Sequence, residues 1–311
     1  MKLVVAGGTG FLGRPLCEIW AEEEHEVIVL TRSLPPGSSA HEAGTGVPGV
    51  TRLGWTPDGQ LGPWASAIDG ADAVVNLAGE SIAARRWSPA HKQAVRDSRV
   101  LATRSLAAAI LAATRPPRAF VSSSGVNYYG YTDRSEKTED APPGSDYLAG
   151  VCLAWEEEAQ RAARPETRVA IVRSGIALET DGGVLPRLAR PFRYFVGGRI
   201  ASGRQYVSWI HKLDWIELVR WLVVTDSASG AFNATAPVPV TNRELSHTLA
   251  RSLHRPALFP APGFALRLAL GEMAEPLLIG GQRAVPARAL SMDFYFRYPE
   301  IDRALRAIYE S

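Results

Sequence analysis

Lysine is scarce. Only four of the 34 basic residues are lysines, at Lys2, Lys92, Lys137 and Lys212, and the arginines form no dense run. The chain therefore lacks the cationic tracts that neutralise nucleic-acid phosphates, and a net charge of only +2 points the same way. Nucleic acid is excluded as the main partner. Cysteine is scarcer still. Cys17 and Cys152 each fall inside a predicted helix among apolar neighbours. Two are too few for a disulfide framework, and no His/Cys/Asp cluster has metal spacing, so the reading expects a reduced compartment and no metal. No apolar run reaches the roughly 18 residues of a membrane span, since Phe264 to Ile279 is broken by Arg267, Glu272 and Glu275. The opening Leu3-Val4-Val5-Ala6 is far shorter than a signal-peptide core. These absences lead to the expectation of a soluble cytoplasmic protein with no membrane partner.

What is present reads as globular. Hydrophobic residues make up 46% and charged residues 21%, near ordinary values for a packed chain. Residues 2–6 form a short apolar run ending in glycines, as a buried parallel strand does. A helix is predicted over 11–23, a strand over 25–31, and a surface loop over the Gly/Pro/Ser-rich stretch from Ser33 to Gly49. Further strands are expected at 73–77, 119–123 and 169–172, with helices at 89–113 and 147–163. This alternation predicts βαβ units in a doubly wound parallel sheet of the Rossmann type. Beyond residue 180 prolines punctuate shorter segments. We expect a dinucleotide-binding domain over 1–178 and a smaller α/β substrate lobe over 179–311, with segments of the lobe returning to the main sheet.

The sharpest motif is Gly7-Gly8-Thr9-Gly10-Phe11-Leu12-Gly13, placed between a predicted strand and a predicted helix. Glycine permits the tight turn and lets backbone approach a pyrophosphate, while the helix N-terminus offers free N–H groups and about half a positive charge. An NAD-binding domain ends its second strand on an acid that holds the ribose 2′-hydroxyl. Here that place reads Leu30-Thr31-Arg32-Ser33. Arg32 offers a 2′-phosphate a planar charged fork, and Ser33 can add a hydroxyl, so the expected cofactor is NADP(H).

These words, with Asn76-Leu77-Ala78-Gly79 after the fourth strand and Ser122-Ser123-Ser124 followed by Tyr129-Gly130 after the fifth, resemble the extended short-chain dehydrogenase/reductases. More narrowly, Ala78-Gly79-Glu80, Arg86-Trp87, Ser98-Arg99, Ser208-Trp209-Ile210-His211, Gly281-Gln282-Arg283 and Phe296-Arg297-Tyr298-Pro299 are similar to the atypical "epimerase family protein" branch, along nearly the whole chain. The resemblance implies cofactor contacts from the glycine turn (Gly7, Thr9, Gly10, Phe11, Leu12, Gly13), from Leu77, Ala78, Gly79 and Ser122, and from Ser174 and Gly175 at the sixth strand's end. It also implies a small-molecule substrate and, by analogy with relatives of the fold, a homodimer.

Active members of the superfamily use a Ser/Thr, a Tyr and a Lys four residues beyond the Tyr, on one helix face. The cation closes a gap of about three pK units, or about 4 kcal/mol, between a free phenol and neutral pH. Ser124 fits the hydroxyl position and Tyr147 the tyrosine, but the residue four beyond is Val151, and no Tyr-x-x-x-Lys occurs anywhere. Arg99, on the long helix after the fourth strand, is a candidate replacement cation. Glu80 is a candidate acid or base, or else a carboxylate at a helix start. Tyr128, Tyr129, His211 and Trp55 admit either a site role or a packing role, and Glu156-Glu157-Glu158 reads as a solvated helix face. The leading expectation is an NADP(H)-dependent oxidoreductase acting on a small carbonyl or enone with a non-standard proton donor. A non-catalytic NADP(H) sensor and a cofactor-retaining epimerase are the alternatives.

Overall fold

The structure is a computed structural model that describes residues 1–34, 41–43 (backbone only), 49–131 and 134–310. Most of the loop expected between Ser33 and Gly49 lies outside the described residues, as does Asp133.

Seven strands run parallel in one sheet: β1 (Lys2–Ala6), β2 (Glu26–Thr31), β4 (Val50–Gly54), β5 (Ala73–Asn76), β6 (Ala119–Gly125), β8 (Arg168–Ser174) and β12 (Gly230–Ala234). An eighth, β3 (His41–Ala43), pairs antiparallel with β4 at the edge, inside the stretch expected to be loop. The order across the sheet is β12-β8-β6-β5-β1-β2-β4-β3, so the chain reverses direction between β1 and β5. Ligands of doubly wound sheets sit at that reversal, beyond the carboxyl ends of the strands.

Period-two alternation assigns each strand's side chains to two cores. Leu3 and Val5 face one, which Leu16 and Trp20 of α1 (Gly13–Glu22) and Trp215, Leu218 and Leu222 of α5 (Lys212–Val224) complete. Val4 and Ala6 face the other, closed by Leu106 and Ile110 of α2 (Pro89–Ala112) and Ala159 of α3 (Tyr147–Gln160). Helix starts are set by side-chain caps. Ser88 accepts from the His91 N–H ahead of Pro89, and Asp146 accepts from the N–H groups of Leu148 and Ala149.

After β8 the chain makes short pieces. β9 (Ile176–Leu178) pairs with β11 (Trp209–His211), β10 (Tyr206–Val207) with β13 (Val240–Thr241), and β7 (Glu136–Lys137) with β14 (Arg283–Ala284). A third core joins Leu185 of α4 (Leu185–Arg193), Leu245 and Leu249 of α6 (Asn242–Ser252), and Ile301, Leu305 and Ile308 of α9 (Ile301–Tyr309). The remaining helices are α7 (Gly263–Leu270) and α8 (Ala287–Ser291). Asp214 ties the C-terminal segment to α5 by accepting the N–H groups of Arg297 and Tyr298.

Candidate active site

The glycine turn follows β1 directly. Gly7 has φ +82°, and a Cβ there would lie 2.7 Å from the Leu77 backbone, while one on Gly13 would lie 2.3 Å from the Gly7 carbonyl. Only glycine lets these three backbone segments close together. The turn opens on a cleft of about 470 Å³ lined by Gly7, Thr9, Gly10, Arg32, Arg52 and Trp55, among others. Ser33, Leu77, Ala78 and Gly79 line it too, and none of its described lining residues is a carboxylate. Arg52, from β4, joins the cleft as a residue that the sequence marks only by a charge inside the short β-forming run Val50-Thr51-Arg52-Leu53. Trp55 combines both expected roles, lining the cleft while its buried ring packs edge-on to Trp64 at 5.3 Å.

Leu77, Ala78 and Gly79 are shared with a second cavity of about 300 Å³, which Arg99, Ser124, Cys152, Trp155, Ser174 and Gly175 also line. Ser174, Gly175 and Asn127 continue into a third of about 160 Å³ on the lobe side. A larger hollow, about 590 Å³, lies at Met1, His25 and Asp293, well away from the glycine turn. The three joined cavities follow the carboxyl ends of the strands.

Arg99 is half-buried, and the burial of its guanidinium lowers its pKa. Its Nη1 donates to the carbonyls of Glu80 (3.0 Å) and Val95 (2.9 Å), and its guanidinium lies 5.2 Å from the Trp155 ring. It is a permanent cation in the wall of the second cavity. Ser124 donates to Glu156 Oε1 at 2.6 Å. Glu156 also accepts Arg173 Nε (2.9 Å) and Nη2 (2.8 Å). Glu156 and Glu158 are both buried, Glu158 taking Arg104 Nη2 at 2.6 Å, so the solvated face expected for this run holds only for the exposed Glu157. The run turns inward because Glu156 lies one helical turn beyond buried Cys152. Burial pushes the Cys152 thiol up to about 11.

Several expected residues fall outside the linings of the cavities just described. The Tyr147 hydroxyl donates to the Lys92 carbonyl and its ring stands edge-on to Trp87 at 5.2 Å. Burial, the largest influence, raises its pKa even against Arg99, so it is pinned rather than poised as a phenolate. Glu80 is half-buried in a loop and not at a helix start, since α2 begins at Pro89; its N–H donates to Ser98 Oγ at 2.9 Å. Ser122 is fully buried and accepts from Asn76 Nδ2 at 3.2 Å. Phe11 and Leu12 precede α1, Leu12 as its N-cap, without lining the cleft; Phe11 packs where a Cβ on Gly182 would fall. Tyr129 donates to Asn233 Oδ1 at 2.7 Å with its pKa raised to about 12 by burial, a packing role. His211 caps α5 and is structural.

A parallel sheet in this order, a glycine turn at its first helix and a cleft along the strand ends define a dinucleotide-binding protein of the extended short-chain dehydrogenase type. The sequence profile "NAD dependent epimerase/dehydratase family" matches residues 3–234, and "Domain of unknown function (DUF1731)" matches 261–308. The chain belongs to that epimerase/dehydratase family. It is 37% identical over 310 residues to the chloroplastic epimerase family protein SDR39U1 homolog of Arabidopsis thaliana, covering 99% of this chain and 86% of that one. It is 35% identical over 306 residues to Bacillus subtilis epimerase family protein YfhF, covering 98% and 97%. The crystal structure of human SDR39U1 isoform 2 with NADPH superposes with TM-score 0.88 at 34% identity, covering all of both chains. Among the described residues, no helix is long and apolar enough to cross a membrane.

Proposed function

We propose that this protein binds NADP(H) and works as an oxidoreductase on a small carbonyl or enone substrate. The observation that carries the reading is the pair Arg32 and Arg52 in the lining of the glycine-turn cleft, with no acidic side chain among its described lining residues. A 2′-phosphate needs such cations and an acid would repel it. The relative crystallised with NADPH supports the same cofactor. The residues present fit the group, because Gly7 and Gly10 line the cleft without side chains just ahead of the N-terminus of α1, where a helix favours an anion.

In this reading the glycine turn holds the pyrophosphate, Arg32 and Arg52 hold the 2′-phosphate, and Ser174 and Gly175 meet the nicotinamide end. When bound, the cofactor supplies or accepts a hydride. Arg99 keeps the second cavity electropositive, and its two carbonyl partners fix its position. The phenol of Tyr147 contributes no proton there while Lys92 holds it.

The test is a titration of the purified protein with NADPH and NADH. Arg32→Glu is expected to weaken NADPH at least about tenfold and to leave NADH nearly unchanged. Equal losses for both nucleotides would overturn the assignment of Arg32. A second reading, a sensor without turnover, draws on the engaged protons of Ser124 and Tyr147. Tight NADPH binding without oxidation by any carbonyl or enone in a broad screen would favour it.

A further inference from the structure

Neither hydroxyl that the superfamily aims at its substrate is available to give a hydrogen bond here. Glu156 already takes two Arg173 N–H groups and has only acceptor oxygens to offer, so the Ser124 proton must point at it. The Ser124 hydroxyl therefore turns lone pairs, not a proton, toward the second cavity. The Tyr147 proton is on the Lys92 carbonyl. A carbonyl oxygen in this site needs its donor from elsewhere.

Asn127 lies where such a donor belongs. It sits on the single turn Val126–Tyr129 that directly follows β6, at the strand end beyond Ser124. It lines both the second and the third cavity, as Ser174 and Gly175 do. It is partly exposed, and no hydrogen bond engages its carboxamide among the described residues. A carboxamide free of protein partners can present its two N–H donors to a ligand.

The third cavity limits what that ligand is. Its volume of about 160 Å³ is close to the roughly 150 Å³ of an engineered cavity that takes up benzene, so this end of the joined cavities has room for a group of about one six-membered ring. Val184, Leu188, Ile200 and Leu245 supply apolar wall, and no acidic or basic side chain is among its described lining residues. A diphosphate placed there would lose its water and gain no cation.

We propose that the Asn127 carboxamide is the hydrogen-bond donor to the substrate carbonyl, and that the substrate is a small uncharged ring-sized ketone or enone rather than a nucleotide sugar. This rests on the NADP(H) reading of the same cleft, and its test separates the two. NADP⁺ binding to wild type and variants is first measured alone, which tests that reading. Carbonyl-labelled cyclohexanone is then added to the NADP⁺-loaded protein and its carbonyl stretch recorded by infrared difference spectroscopy, with UDP-glucose as competitor.

In wild type the stretch is expected to fall below its value in an apolar solvent. Asn127→Leu is expected to return it toward that value and to weaken ketone binding about three- to tenfold, with NADP⁺ affinity intact. Asn127→Gln, which keeps the donors, is expected to recover part of the shift. In Ser124→Ala the shift is expected to persist. Loss of the shift in Ser124→Ala but not in Asn127→Leu would overturn the proposal. So would displacement of the ketone by UDP-glucose, or failure of the NADP⁺ complex to take up the ketone at all.

Discussion

Glu156 shows how a single side chain sets the polarity of the site. It lies in a run of three glutamates, and a run read along one dimension looks like a wetted helix face. The spacing held the contrary signal, since Cys152 and Glu156 are four apart and the cysteine is apolar-facing. What no spacing could supply is Arg173, which reaches it from β8 with two N–H groups. Removing one member of a buried pair leaves the other charged and unmatched, which costs about 3–5 kcal/mol. Glu156→Ala is therefore expected to lower the unfolding free energy by about that much in urea titrations, and Arg173→Met in the same background to recover part of it. A loss below about 1 kcal/mol would mean that water already satisfies Arg173.

At the scale of elements, the long pieces were legible and the short ones were not. β1, β5, β6 and β8 are apolar runs bounded by glycine or polar residues, and α2 and α3 carry a cap ahead of their first turn. The paired strands of two or three residues after β8 carry no period that a sequence can show. β11 is one of them, and it ends on His211, where α5 begins. His211 Nδ1 accepts the Leu213 N–H at 3.1 Å, and the ring stacks on Tyr298 at 4.0 Å. Burial foremost, then Lys212 and Arg297, pushes its pKa down to about 4. The unfolded chain, with a histidine near 6.5, takes up a proton that the folded one refuses between those values. The contribution is thus complete above pH 6.5 and is lost as pH falls toward 4. It amounts to about 2 kcal/mol between pH 7.5 and 5. His211→Asn keeps a capping acceptor that does not titrate, so the stability difference between pH 7.5 and 5 is expected to shrink by about that amount in denaturant titrations. An unchanged difference would show that His211 is not the group responsible.

Across the whole molecule, the cleft is assembled from residues far apart in the chain. Arg32 and Arg52 reach it from β2 and β4, Ser124 and Asn127 from the end of β6, and Gln205 and Leu245 from the lobe. The cofactor end was readable because one contiguous turn makes it, whereas the substrate end depends on a register that only the folded lobe sets. Part of the C-terminal half has a separate core, in which Ile301, Leu305 and Ile308 of α9 pack with Leu245 and Leu249 of α6. The two sheet cores, on which the glycine turn stands, include no residue of α9. Three buried aliphatic side chains contribute about 1.5–3 kcal/mol each. A chain ended after Pro299 keeps the backbone groups that Asp214 holds and loses only this helix. It is expected to loosen the lobe at a lower temperature than the sheet, giving two thermal transitions by calorimetry, while NADPH still binds before the second. One transition, with NADPH binding abolished from the outset, would show instead that the lobe core and the cofactor cleft fold as a single unit.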